Sequence, residues 1–269
     1  MALRFACLAA IVALTTACNV AGFGTGQEPA FRAPRTPDNT PDLSGIWKAN
    51  NTANWDLEPH EARMGPVVAL AAAFSVPPGL GVVEGDEIPY LPAALAKRNA
   101  NRADWVKLDP EVKCFMPGIP RATYMPYPFQ IVQAKDHLIF TYEFTSASRI
   151  VRMNSQEKSP APAWMGWSLG KWDGESLVID VTDHMPETWF DRAGNYHGEA
   201  LKVTERYTPI DANTLNYEAT IEDPAVFSRP WKIKMPLYRR REANMQLLEY
   251  KCVPFAEELM YGHLRKKTP

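Results

Sequence analysis

The chain has 269 residues, of which 46% are hydrophobic and 22% charged, with 24 prolines and 15 glycines. This is a globular, turn-rich composition, and it excludes disorder of the whole chain. The formal net charge of −2 excludes the basic surface that a phosphate backbone demands, so no nucleic-acid partner is expected.

The N-terminus MALRFACLAAIVALTTACNVAG pairs an early Arg4 with an apolar run from Phe5 to Leu14 and small residues before Cys18. That pattern predicts a signal peptide over 1–17, with an apolar run too short to span a membrane. The L-T-T-A-C stretch also fits a bacterial lipoprotein signal, making Cys18 a lipidation site and the only link to a membrane. Plain cleavage near Ala17 or Ala21, giving a free periplasmic protein, is the alternative. Asn19 points to the outer membrane if lipidation occurs.

Residues 18–41 are rich in Gly, Pro, Thr and Asn and read as a flexible tether, so a single domain is expected over 42–269. In DLSGIWKA, Gly45 and Trp47 stand in the G-x-W spacing that opens lipocalin-type barrels. Residues 55–118 read as an irregular and helical insertion, with a helix over 91–105, lying across one end of a barrel or forming a lid. From Pro128 alternation takes over. The strand runs are FQIVQ and HLIFTYEFT, ASRIVRMN, WSLGKWD and ESLVIDVTD, ALKVTERYTPID and NTLNYEATIED, and WKIKMPLYRRR with a partner over the QLLEYKC stretch. The fold class expected is therefore mainly β: an antiparallel lipocalin-like β-barrel with an irregular N-terminal segment and short peripheral helices, since closure removes exposed edges. In the tail, Phe255, Leu259, Met260 and Leu264 have helical spacing and predict a short helix against the barrel wall. Of four cysteines, Cys7 leaves with the leader and Cys18 is N-terminal. Cys114 and Cys252 then form a disulfide in an oxidising compartment, tying an early loop to the last strand.

The combination DLSGIW, KCFMPGIPR, GKWDGESLVIDVTD, GNYHGEALKVTERY, EDP, RPW and EYKC is similar to a large set of secreted bacterial proteins without an assigned activity. These resemble lipocalin-like, or calycin, barrels, so the resemblance implies the fold and no chemistry. Gly198 follows His197 here, where a serine is usual in that set.

Candidate chemistry centres on FDRAGNYHGEALKVTERY. If one strand runs unbroken through it, His197, Glu199, Leu201, Val203, Glu205 and Tyr207 share a face. His197 and Glu199 would then lie roughly 7 Å apart at a rim, and Glu205 roughly 20 Å beyond Glu199, deep in the barrel. His197, Glu199 and Asp191 are the catalytic candidates for general acid–base chemistry. Tyr124, Trp189, Tyr196, His184 and Tyr207 are the ligand-binding candidates. Glu205 is expected to be structural, held by Arg149 or Arg121, while Glu143 and Asp180 are expected to face outward. Trp47, Trp172 and Trp231 are expected to fill the core. No metal and no cofactor are expected: C-x-x-C, H-x-x-x-H, G-x-S-x-G, G-x-G-x-x-G, P-loop and H-E-x-x-H patterns are all missing. His184 and His197 with a carboxylate have the ligand types of a facial triad, without diagnostic spacing. Two functions remain. One is binding of a hydrophobic or aromatic small molecule with cofactor-free lyase, isomerase or hydratase chemistry. The other is a non-enzymatic carrier or sensor, with Glu205 matched to an arginine and His197 in solvent.

Overall fold

The computed structural model describes residues 31–65 and 67–264. The signal peptide expected over 1–17 and the lipidation expected at Cys18 fall outside the described residues. Nine strands close into one barrel in chain order: β1 (Gly45–Ala49), β2 (Phe129–Gln133), β3 (His137–Tyr142), β4 (Ser148–Met153), β5 (Trp167–Asp173), β6 (Ser176–Thr182), β7 (Lys202–Asp211), β8 (Thr214–Glu222) and β9 (Trp231–Arg239). The mainly β barrel expected from the alternation is the fold observed. Its meander is antiparallel at every pair except β4 with β5, which run parallel. Residues 154–166 supply the connection that a parallel pair requires.

Period-two burial runs along the long strands. Val203, Glu205 and Tyr207 of β7 face inward, as do Leu215, Tyr217, Ala219 and Ile221 of β8 and Trp231, Ile233, Met235 and Leu237 of β9. Each apolar side chain buried in this way contributes about 1.5–3 kcal/mol. Phe129, Phe140, Tyr207 and Tyr217 are all completely covered and lie in ring contact as a series, so aromatic side chains occupy the barrel interior.

The barrel closes where β1 pairs with β9. Gly45 has φ 141°, and a Cβ there would lie 2.2 Å from Arg239 Nη1. Glycine therefore admits the Arg239 guanidinium, which stacks 4.2 Å over the Trp47 ring and donates to the Ser44 carbonyl at 2.6 Å. Trp47 is buried and donates from its indole to Leu43 O. Trp231 is buried as expected, whereas Trp172 is only half-buried.

Four local expectations are corrected. The tether is not free over its described end: Arg35 pairs with Glu175, and Pro41 accepts from Gln133, which fastens this stretch to the barrel. QLLEYKC forms no strand, because β1 already occupies the free edge of β9. Instead it crosses the outside, where Leu248 N donates to Glu143 and Tyr250 packs on Tyr127 and Phe144. Glu143 is accordingly buried and not outward-facing, while Asp180 is exposed as expected. The tail helix exists as α4 (Ala256–Tyr261), but Phe255, Leu259, Met260 and Leu264 are exposed.

Cys114 and Cys252 form a disulfide with Cα atoms 5.7 Å apart, so Cys252 anchors the tail beyond β9 and not the last strand itself. A disulfide fits an oxidising, extracytoplasmic environment. No helix among the described residues is long and apolar enough to cross a membrane.

Between β1 and β2 the insertion carries α1 (Pro92–Ala103), α2 (Trp105–Leu108), a 3-10 turn at Pro110–Lys113 and α3 (Arg121–Tyr124). It lies across one end of the barrel. Val83 bridges to Ile233, Tyr90 bridges to Phe227, and Thr123 reaches the Tyr207 hydroxyl at 3.4 Å.

Candidate functional site: a groove at the covered end of the barrel

The loop between β6 and β7 folds back on itself as a small hairpin. Trp189 bridges to Tyr196, and Phe190 N donates to Asn195 O at 2.7 Å. Asp191 at its turn is completely buried and accepts four hydrogen bonds, from Leu57 N, Ala193 N, Asn195 N and Asn195 Nδ2. An Asx side chain that gathers its own downstream amides is a turn-forming device. Burial, with the neighbouring Asp56 second, pushes the Asp191 carboxyl up to about 7, against the hydrogen bonds from Asn195 and Leu57. Its geometry organises the hairpin and offers no free oxygen to a substrate.

Two walls are pinned to that hairpin. On α1, Arg98 Nε and Asn101 Nδ2 donate to Asn195 Oδ1 and Gly194 O. A Cβ at Gly194 would lie 2.6 Å from Arg102 N, so only glycine permits this approach. The second wall is the 3-10 turn. Glu111 takes two 2.7 Å bonds from Arg192 and one of 3.0 Å from Arg121, which also grips Asp109 through both carboxylate oxygens. Burial would lower the pKa of each arginine. Asp109 and Glu111 more than offset that for Arg121, as Glu111 does for Arg192, so both stay cationic. Arg192 also lies between Trp55 and Trp105, 4.6 and 4.9 Å from the ring centres.

These walls enclose a groove of about 410 Å³. Trp189, Tyr196, Pro186 and Glu187 come from the hairpin side, and Leu108, Pro110, Lys113 and Phe115 from the facing turn. Lys97 of α1 completes it, with its ammonium 4.3 Å from the Tyr196 ring centre. Phe115 stacks on Trp164 at 4.6 Å. An aromatic lining with a few polar groups and this volume suits a small organic molecule.

His197 is not among the residues that line the groove. It is 2% exposed; its Nδ1 is 2.8 Å from Gly198 O and its Nε2 is 2.6 Å from Thr188 Oγ1. A carbonyl only accepts, so Nδ1 carries the proton and Nε2 accepts from the Thr188 hydroxyl. Burial lowers the His197 pKa to about 4, against the Gly198 carbonyl and Asp223, which raise it. His184 stands edge-on to His197, ring centres 5.9 Å apart, and burial together with His197 holds its pKa near 3. Neither His184 nitrogen makes a well-formed hydrogen bond; the Leu201 backbone offers only a loose one.

The shared face expected for His197, Glu199 and Glu205 fails because β7 begins only at Lys202. Glu199 is exposed and makes no hydrogen bond or ion pair among the described residues, so the structure does not bring it to His197. Trp189 and Tyr196 line the groove. Tyr124 is instead sealed in the core, its hydroxyl donating to Phe190 O at 2.8 Å. Tyr207 belongs to the barrel network. There Glu205 meets Arg149 Nη1 at 2.6 Å and accepts from Tyr207 and Tyr217 at 2.9 Å each. Of the two arginines expected for Glu205, Arg149 is the partner and Arg121 serves Asp109. Among the described residues, no group of three or more His, Cys, Asp or Glu is arranged to hold a metal ion.

Nothing in the sequence singles out Lys97, Lys113, Glu187 and Phe115, because only the tertiary fold brings positions 97, 113 and 187 together. D-P-E-V at 109–112 does carry a local signal. An Asp before proline starts the 3-10 turn, its side chain accepting Glu111 N at 2.9 Å. Neither protein-family models nor curated proteins give a match to this chain.

Proposed function

We propose that this protein is an exported barrel of the lipocalin-like type that binds an apolar or aromatic small molecule at the covered end of the barrel, as a carrier or sensor. The observation that carries this is the groove itself, with Trp189, Tyr196 and Phe115 around about 410 Å³. Side chains fill the barrel interior, which favours a site outside it. The leader-like stretch over 1–17, directly before Cys18, supports export, with lipidation as a means of keeping the domain at the outer membrane.

Binding without turnover is favoured over acid–base catalysis by the state of His197. A general base needs an accessible lone pair within hydrogen-bond reach of its substrate. Both His197 nitrogens are already engaged, and the side chain is covered. Native mass spectrometry of the protein purified from its own host tests the proposal. A retained small molecule that is lost from a Phe115→Ala variant supports it. A ligand retained equally by both forms contradicts the groove as its site.

A further inference from the structure

The groove has a charge character that the aromatic lining alone does not require. Lys97 and Lys113 both border it, and neither ammonium forms an ion pair among the described residues. Elsewhere the cations near this end are neutralised: Arg98 by Glu58, Arg121 by Asp109 and Glu111, and Arg192 by Glu111 and Glu257. Among the described residues, the single acid lining the groove is the exposed Glu187. An acidic chain with a net charge of −2 therefore presents a local excess of positive charge beside three aromatic rings.

The positions of these cations are set by the fold. Lys97 extends from α1, which Arg98 and Asn101 fasten to the hairpin through the residues that follow it. Its ammonium rests over the Tyr196 ring, which holds the charge at the aromatic surface without neutralising it. Lys113 ends the 3-10 turn that Glu111 and Asp109 bind to buried arginines, and its neighbour Cys114 is bonded to Cys252. Both lysines thus project from backbone that is tied down, and little order remains to be imposed when a ligand arrives.

Resting on the proposed binding function, we infer that the groove selects organic anions: an aromatic body packs on Trp189, Tyr196 and Phe115, and a carboxylate meets Lys97 and Lys113. An uncharged molecule of the same shape fills the aromatic part and leaves the ammonium groups to water. A cationic one is repelled by both lysines.

Isothermal titration of the full chain with 2-naphthoate and with its neutral primary amide, 2-naphthamide, tests this. The naphthoate binds more tightly than the amide, and its affinity falls as salt rises from low to physiological ionic strength. Lys97→Met and Lys113→Met each weaken the naphthoate roughly fivefold, the scale of one exposed ion pair, and leave the amide unchanged. Glu187→Gln tightens the naphthoate. Phe115→Ala weakens both compounds. All four positions lie on the groove surface, so the variants keep the fold, which far-UV circular dichroism checks. If the amide binds as well as the naphthoate and the lysine variants change neither, the anion selectivity is overturned while the binding function stands. If neither compound binds, or Phe115→Ala affects neither, the groove itself is overturned as the binding site.

Discussion

Replacing Glu205 with leucine would leave the Arg149 guanidinium, 2% exposed, without its carboxylate. What remains to Arg149 is a 3.3 Å contact with the Tyr207 hydroxyl, a 3.4 Å contact with Ser168 and the Phe140 ring at 4.6 Å. A stranded buried charge costs about 3–5 kcal/mol. Tyr207 and Tyr217 lose their acceptor too, at about 1 kcal/mol each. Glu205→Leu should therefore destabilise the barrel by about 6 kcal/mol, a large share of the roughly 5–15 kcal/mol that holds a domain together. Arg149→Met costs less, about 3 kcal/mol, because the two phenols continue to donate to the carboxylate. The double variant Glu205→Leu with Arg149→Met removes both charges and costs only about 2 kcal/mol, the share of the two unpaired phenols. Urea unfolding followed by tryptophan fluorescence gives the four stabilities, and the cycle should show a coupling of about 7 kcal/mol. A Glu205→Leu chain that fails to fold while the double variant folds would demonstrate the same coupling. Single effects below about 1 kcal/mol that simply add would refute the account of this pair.

Acid sensitivity follows from the buried histidine. The folded pKa of His197 lies near 4, below the usual 6.5, so its contribution is complete above pH 6.5 and is lost as the pH falls through 4. The wild type should lose about 3 kcal/mol from this group over that interval, and His197→Gln should lose correspondingly less in urea titrations at pH 7 and pH 4. Asp191 acts with the opposite sign. Its raised pKa makes its contribution complete below about pH 4 and lost as the pH rises through about 7. Asp191→Asn turns an amide NH₂ toward N–H donors, and should cost about 2 kcal/mol in urea unfolding and abolish naphthoate binding in the groove. Cys114 and Cys252 are separated by 138 positions. Loop-closure entropy sets an upper bound of about 5 kcal/mol for their bridge, so Cys114→Ser with Cys252→Ser should melt well below the wild type in a calorimetric scan.

The strands from Phe129 to Arg239 were legible because their apolar positions alternate and Gly, Asp and Asn mark the turns between them. The same parity placed Glu205 inside, and of the two arginines expected as its partner, Arg149 and Arg121, the first is the one it meets. Parity failed at His197 because alternation does not reveal where a strand starts. Asp191 gathers the backbone of 193–195 into its own hairpin, and Gly198 donates to Asp223 at 2.6 Å, so the chain joins the sheet only at Lys202. QLLEYKC had the composition of a strand, but β1 had taken the edge it needed. The groove was the least legible feature. Lys97 and Lys113 look like ordinary surface lysines in sequence, and what makes them a site is the buried network of Asp109, Glu111, Arg121 and Arg192 behind them.

The most direct test of the binding site is a two-dimensional NMR titration of the eight tryptophan indole N–H groups with 2-naphthoate, the Trp189 signal being assigned from a Trp189→Phe sample. Trp189 should shift saturably, with Trp164 following through its stack on Phe115, while Trp47 and Trp231 in the barrel core stay fixed. Shifts confined to Trp47 and Trp231, or no shift at Trp189 at saturating naphthoate, would contradict a ligand groove at the covered end of the barrel.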